Sequence, residues 1–469
     1  MNRKTNVYAL LVIGLLCVVA CSCCTARAQE ASLPEAPSAH FTASASQTPA
    51  PPAQQSAAPA TAPGISLTLA DAERMAIQHN PNISVARLLE LAQVQVTREV
   101  RSAEMPTATG ALTAVGAHDN SRITAGLINN PSVYDRAAGG LTVNQLITDF
   151  GRTHNLILSA KSSARAQLES ERATELDITL TVDQAFYQAL TTQALLKVAQ
   201  QTVAQRQATV DQIGALTKSK LRSDLDLSFA DVQLSQAKLL LLDAQNNMQD
   251  AMASLNTVLG SEQDQPYTLV DESSAAPETP PRDAEATVRT AFGSRPDLAA
   301  LNDNYIAARQ FSTAERDLWL PTVSALATVG GTPIRADEIQ SSWYGAAGAN
   351  INIPVFNGFL YNARAQEAKL RASAAQEQVR NLRDVIARDV RNAVLNAQTA
   401  FQRIGVTQEM LNESNMALDL SQARYKIGLS GIVELTQAQL AQTEAEIAYT
   451  NARYAYQSAL AEVRFQMGQ

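Results

Sequence analysis

The chain carries its own copy. Pro81 and Pro296 lie 215 positions apart, and so do Pro106 and Pro321. Further along the spacing is 208, from Leu227 to Leu435 and from Gly260 to Gly468. Two constant offsets, each held over a long stretch, mark an internal duplication with a seven-residue change of length between them. Whatever one half folds into, the other half is expected to repeat.

The second copy ends in residues 360–467, which read as two long helices folded back at a tight tip. The first arm places apolar residues at every seventh position: Val390, Ala397, Ile404, Leu411, Leu418 and Tyr425. Val433, Leu440, Ile447 and Tyr454 continue the spacing in the second arm. A seven-residue period keeps one apolar seam against a neighbouring helix, as in a coiled coil. Between the arms, Gly428 can end one helix, Gly431 sits in the turn and Ser430 can cap the next helix. The first arm spans roughly 100 Å at 1.5 Å per residue. Its twin runs from Gly151 to Gly260, with Val182, Ala189, Leu196, Val203 and Val210 before a tip at 218–223. Leu227, Leu234, Leu241, Met248 and Leu255 follow the tip.

Each half also supplies two segments of period-two alternation. They are residues 107–117 and 139–148 in the first copy, and 321–330 and 344–356 in the second, where Ile351, Ile353 and Val355 share a face. About ten alternating residues is the length of a tilted transmembrane strand. Residues 118–138, with Asn129-Asn130-Pro131, read as a polar exposed loop. Four strands cannot close a barrel, and lipid tolerates no open edge, so strands must be pooled between copies of the chain. Phe150, Trp319, Trp343, Tyr344, Phe356, Phe359 and Tyr361 read either as an interfacial girdle where helix meets strand or as packing at the element junctions.

The domain boundaries follow. Residues 1–28 have a basic start, an apolar run and Ala26-Arg27-Ala28, the pattern of a secretory signal with an A-x-A site. Val18-Val19-Ala20-Cys21 alternatively resembles a lipobox, which would make Cys21 a lipidation site. Residues 29–64 are an Ala-, Pro- and Ser-rich tether expected to be disordered. The first repeat is 65–260, with Thr68 and Asp71 as a capping box and a helix break at Asn80-Pro81. Residues 261–283 form a linker with a short strand at 267–270. The second repeat is 284–468. The fold class is mainly α with a transmembrane β-barrel, internally duplicated.

Chemistry is constrained by what the chain lacks. All four cysteines fall within the first 24 residues, so the remainder holds no disulfide and no thiolate metal site. The four histidines have no ligand spacing, and neither a metal nor a cofactor is expected. No nucleophile–base pair or phosphate loop is visible, so no enzyme activity is expected. A net charge of −8 without a basic patch argues against nucleic acid.

Residues 423–438, Ala-Arg-Tyr-Lys-Ile-Gly-Leu-Ser-Gly-Ile-Val-Glu-Leu-Thr-Gln-Ala, resemble the tip of the second coiled coil in the TolC family of outer-membrane efflux proteins. The order of elements extends that resemblance over residues 65–468. It implies a homotrimer: a twelve-stranded barrel held in outer membrane lipid, continued by a twelve-helix tunnel across the periplasm. It implies an exit duct whose partners are a periplasmic membrane-fusion adaptor and an inner-membrane pump (RND, ABC or MFS type). Type I protein secretion would use the same architecture. A soluble periplasmic coiled-coil adaptor or spacer is the reading of a different class, and needs the four alternating segments to be ordinary sheet.

The resemblance also assigns gate residues. Tyr425 matches the family's gate tyrosine, and Glu434 matches the first acid of its pore ring. Gln437 stands where a second acid often sits, and Ser430 where some members have arginine; both are departures. The first tip offers Asp226, 208 positions before Glu434, with Asp224 beside it. The bland alternatives are plain: Ser223-Asp224-Leu225-Asp226 also fits a capping box, Glu434 suits a helix dipole, and Tyr425 suits the seam.

Overall fold

The computed structural model describes residues 65–116, 122–125, 128–132, 135–261, 265–271, 278–334 and 341–469. The signal segment, the tether and Cys21 lie outside the described residues. In the first repeat the order is β1 (Ile65–Leu67), α1 (Leu69–His79), α2 (Pro81–Ser102), β2 (Thr107–Val115), β3 (Arg122–Ala125), β4 (Ile128–Ser132), β5 (Arg136–Thr148), α3 (Arg152–Lys218) and α4 (Asp224–Val258). The linker supplies β6 (Tyr267–Leu269). The second repeat has α5 (Ala284–Ser294), α6 (Pro296–Arg316), β7 (Thr322–Ile334), β8 (Trp343–Asn352), α7 (Leu360–Lys426) and α8 (Ile432–Gln466).

The duplication is kept to the residue. Adding 208 to both ends of α3 gives α7, each 67 residues long, and the same shift turns α4 into α8, each of 35. Adding 215 turns α1 into α5, each of 11 residues. Local chemistry fixes these boundaries. Thr68 accepts from the Asp71 backbone N–H, Asn80 caps α2 ahead of Pro81, and the Asp283 carboxylate accepts two backbone N–H groups of α5. Both copies also end on a left-handed glycine pressed against backbone. A Cβ on Gly260 (φ +74) would sit 2.7 Å from the His79 carbonyl oxygen, and one on Gly468 (φ +76) 2.8 Å from that of Ser294. Those two contacts are themselves related by the duplication.

The four-stranded sheet has the order β2-β5-β7-β8, all antiparallel. Its register sorts the side chains. Leu112 and Leu141 fall on the same face as Val143, Ala327, Val329 and Ile351, while Thr109, Thr142, Asn144, Ser324, Thr328 and Asn350 fall on the other. The Thr142 and Thr328 hydroxyls are hydrogen-bonded across that polar face at 3.3 Å. β1 and β6 pair separately and in parallel.

Next to the sheet the helices stand in the row α2, α3, α6, α7; toward the tips the row is α4, α3, α8, α7. The long helices run through both levels and the short ones exchange. The largest apolar cluster fills the level between. There Val182, Phe186 and Leu190 of α3 meet Leu255 of α4, Ala76 of α1 and Leu67 and Leu269 of the β1–β6 pair.

Four sequence expectations need correction. The stretch 118–138 is not simply a loop: β3 and β4 pair within it as a hairpin, and β5 begins at Arg136. β8 stops at Asn352, so Ile353 and Val355 lie beyond the strand. Trp343 and Tyr344 sit at the end of β8 away from the helices, so the aromatics mark two levels of the sheet rather than one. At the helix junction Trp319 meets Tyr361 edge to face, 5.7 Å between centroids, and Phe356 meets Phe359 likewise. Finally, Val433 and Leu440 are exposed, whereas Ile432, Leu435, Gln439 and Thr443 are buried. α8 buries a stripe next to the expected one because it packs on α3 as well as α7. The α7 seam is as read: all six of its positions are buried or half-buried.

Candidate gate at the helix tips

Both tips close by the same device. The Leu221 N–H donates to the Leu216 carbonyl and the Leu429 N–H to the Arg424 carbonyl, each at 2.9 Å. This closure needs one residue in the left-handed region. The second tip uses Gly428 (φ +79), whereas the first forces Lys220 (φ +57) into it. The following helices start differently. The Ser223 side chain accepts from the Leu225 N–H at 3.1 Å, while α8 begins at Gly431 with no side-chain cap. One reading changes here. Ser430 is not the cap; its hydroxyl is buried without a hydrogen-bond partner among the described residues. Ser223 supplies the N-cap expected of the Ser223–Asp226 stretch.

The tips are joined through Tyr425. It is 3% exposed and packed among Ile213, Ala230, Leu418, Ile432 and Leu435. The Arg222 guanidinium lies 4.3 Å above its ring, and Arg222 Nη2 donates to the Tyr425 carbonyl at 2.8 Å. Burial pushes the Tyr425 phenol above its ordinary pKa; Arg222 opposes the shift and Asp226 adds to it. Asp226 is therefore brought within electrostatic reach of Tyr425. Glu434 instead pairs with Arg424 at 3.4 Å, both side chains near half exposure. Such a pair contributes about 1 kcal/mol at most. Asp224 and Gln437 are exposed.

Arg222 was not among the residues the sequence singled out, although a signal for it existed. It lies 208 positions before Ser430, so the arginine missing from the second tip is present in the first. A second polar contact lies deeper along the same seam. Arg206 is 4% exposed and donates to Gln439 Oε1, and Gln439 Nε2 donates to the Thr209 hydroxyl at 3.2 Å. Burial lowers Arg206 to about 10, which leaves it cationic at neutral pH.

The arrangement can latch two coiled coils without welding them. A cation over an aromatic face is worth about 0.5–2 kcal/mol, depending on desolvation. Beside it, the apolar cluster around Tyr425 also spans the two coiled coils.

The chain matches the family described as "Outer membrane efflux protein" over residues 73–261 and 287–469, one match for each repeat. It is 24% identical to the Fusaric acid resistance protein FusA of Burkholderia cepacia over 56% of this chain and 50% of that protein, so the match spans half of FusA's length. It is 24% identical to Outer membrane protein OprJ of Pseudomonas aeruginosa, over 78% of this chain and 76% of OprJ. Its fold is similar to that of the outer membrane protein VceC from Vibrio cholerae, with a TM-score of 0.72 and 19% identity over 85% of this chain and 96% of that one. With both repeats matched along nearly all of the described residues, the chain belongs to the outer membrane efflux protein family.

Proposed function

We propose that three copies of this chain form a passive exit duct in the bacterial outer membrane, fed by an inner-membrane pump through a periplasmic adaptor. The carrying observation is the sheet. One face carries Leu112, Leu141, Val143, Val329 and Ile351 with Gln145, the other carries most of the Thr, Ser and Asn side chains together with Leu146, Leu326 and Tyr344, and β2 and β8 are its unpaired edges. Joining β8 of one copy to β2 of the next removes both edges and closes a barrel with a wet interior. Three copies of four strands make twelve, matched by three copies of the four-helix rows.

In this duct the tips are the periplasmic mouth. Arg222 on Tyr425 holds the two coiled coils of a subunit together, Asp226 and Glu434 face the narrowing, and Gly428 and Gly431 shape the ends that the adaptor grips. Asp224 adds an exposed acid to the mouth, while Gln437 is neutral where the family pattern often has a second acid. The test is purification from outer membranes followed by native mass and planar-bilayer recording. A trimer with stable conductance is expected; a monomer, or a trimer that leaves the cell in the soluble fraction, overturns the proposal.

A further inference from the structure

Two grooves, one in each repeat, lie just below the sheet. The groove between α6 and α7 encloses about 540 Å³ and is lined by Arg309, Arg316 and Lys369. The one between α2 and α3 encloses about 340 Å³ and is lined by Arg98, Arg101, Lys161 and Arg165. They are the same groove twice. Arg101 becomes Arg316 on adding 215, and Lys161 becomes Lys369 on adding 208. Among the described residues no carboxylate lines either groove, on a chain whose net charge is −8. Arg165 pairs with Asp303 and Arg316 with Asp317, each at 3.2 Å. Arg101, Lys161, Arg309 and Lys369 have no ion-pair partner among the described residues.

Their height decides the ligand. Arg101 and Arg316 each precede a strand, β2 or β7, by six residues. The edge-to-face pair of Trp319 and Tyr361 sits at the helix–strand junction of the second repeat, close in sequence to Arg316 and Asn362, both of which line that repeat's groove. Cations just outside an apolar band, beneath an aromatic belt, lie at the depth of lipid headgroups. We propose that both grooves bind the phosphate of an anionic phospholipid in the periplasmic leaflet, so that each subunit is seated by two lipids. The proposal rests on the duct reading only in placing the sheet in the membrane.

The test uses the full-length chain, delipidated in detergent and titrated with phosphatidylglycerol under native mass spectrometry. The variant R101Q/K161Q/R316Q/K369Q is compared with R380Q/R388Q/R391Q/R403Q, which removes the same charge further down α7. At roughly a fivefold loss per basic residue near a lipid surface, the first variant should bind phosphatidylglycerol at least about tenfold more weakly. The second should bind as the natural chain does, and millimolar inorganic phosphate should displace none of the lipid. Equal weakening in both variants, or none in the first, overturns the site. Displacement by phosphate overturns the lipid as its occupant. Conductance of the natural chain is recorded in parallel. Conductance without groove-dependent lipid binding sinks this proposal alone; groove-dependent binding without conductance sinks the duct alone.

Discussion

The Arg222 guanidinium stacks 4.3 Å above the Tyr425 ring and also bonds the Tyr425 carbonyl, joining the tips of two coiled coils across 203 residues of sequence. Replacing Arg222 by Ala removes about 0.5–2 kcal/mol from that junction and leaves the seams intact. The mouth should then part more often, raising the mean conductance in planar bilayers. Arg222→Lys should fall between, because lysine keeps the charge and loses the planar stack. Unchanged conductance in Arg222→Ala would mean that the latch does not gate.

The two tips differ at one left-handed position. Lys220→Gly relieves a strained backbone and Gly428→Ala imposes one, each worth about 1 kcal/mol. The melting temperature followed by circular dichroism should rise in the first variant and fall in the second. Shifts of the same sign would contradict the backbone argument.

Asp183 on α3 is buried, with one carboxylate oxygen unpartnered among the described residues. Burial first, then the charge of Glu73 and a hydrogen bond with it, raise its pKa from 3.8 to about 7, while Arg464 opposes. The folded state therefore holds a proton that the unfolded chain releases. Its contribution to stability is complete below about pH 4 and is lost as the pH climbs through 7. Asp183→Asn should melt higher than the natural chain at pH 8, with a smaller difference at pH 4. An identical pH profile for the two proteins would refute this assignment.

The linker is held by Asp271, whose Oδ2 accepts from Arg453 Nη2 and from the Tyr454 hydroxyl, each at 2.8 Å. That hydroxyl is pushed up to about 12 by burial and by Asp271, so it remains a donor at any physiological pH. Asp271→Ala leaves it unpartnered and should cost about 1–3 kcal/mol. Limited proteolysis should then cut the linker faster and leave the helices resistant. A cleavage rate equal to that of the natural chain would show that the clamp is idle.

The long helices, the duplication and the tip turns were legible because their causes are local. A seven-residue period, Asn80-Pro81 and Gly428 act through neighbours a few positions away, and the structure keeps the 208 offset at both ends of α3 and α7. Errors arose where a residue had more than one helix to face. Val433 and Leu440 fit a seam in sequence, yet α8 packs on two helices and buries the adjoining stripe. Ser430 looked like a cap because serine often is one; the chain turns one residue later, at Gly431.

The sequence by itself determined the repeat, the element lengths and the residue types available at each tip, since periodicity and turn chemistry operate within a few residues. Tertiary structure alone decided the partners. Arg206 finds Gln439 only because α3 and α8 lie side by side, Arg222 of the first tip finds Tyr425 of α7 only because the two tips meet, and the two cationic grooves exist only because each short helix runs beside its long one. Such pairings depend on which faces of separate helices meet, and a seven-residue period fixes a face without naming its neighbour.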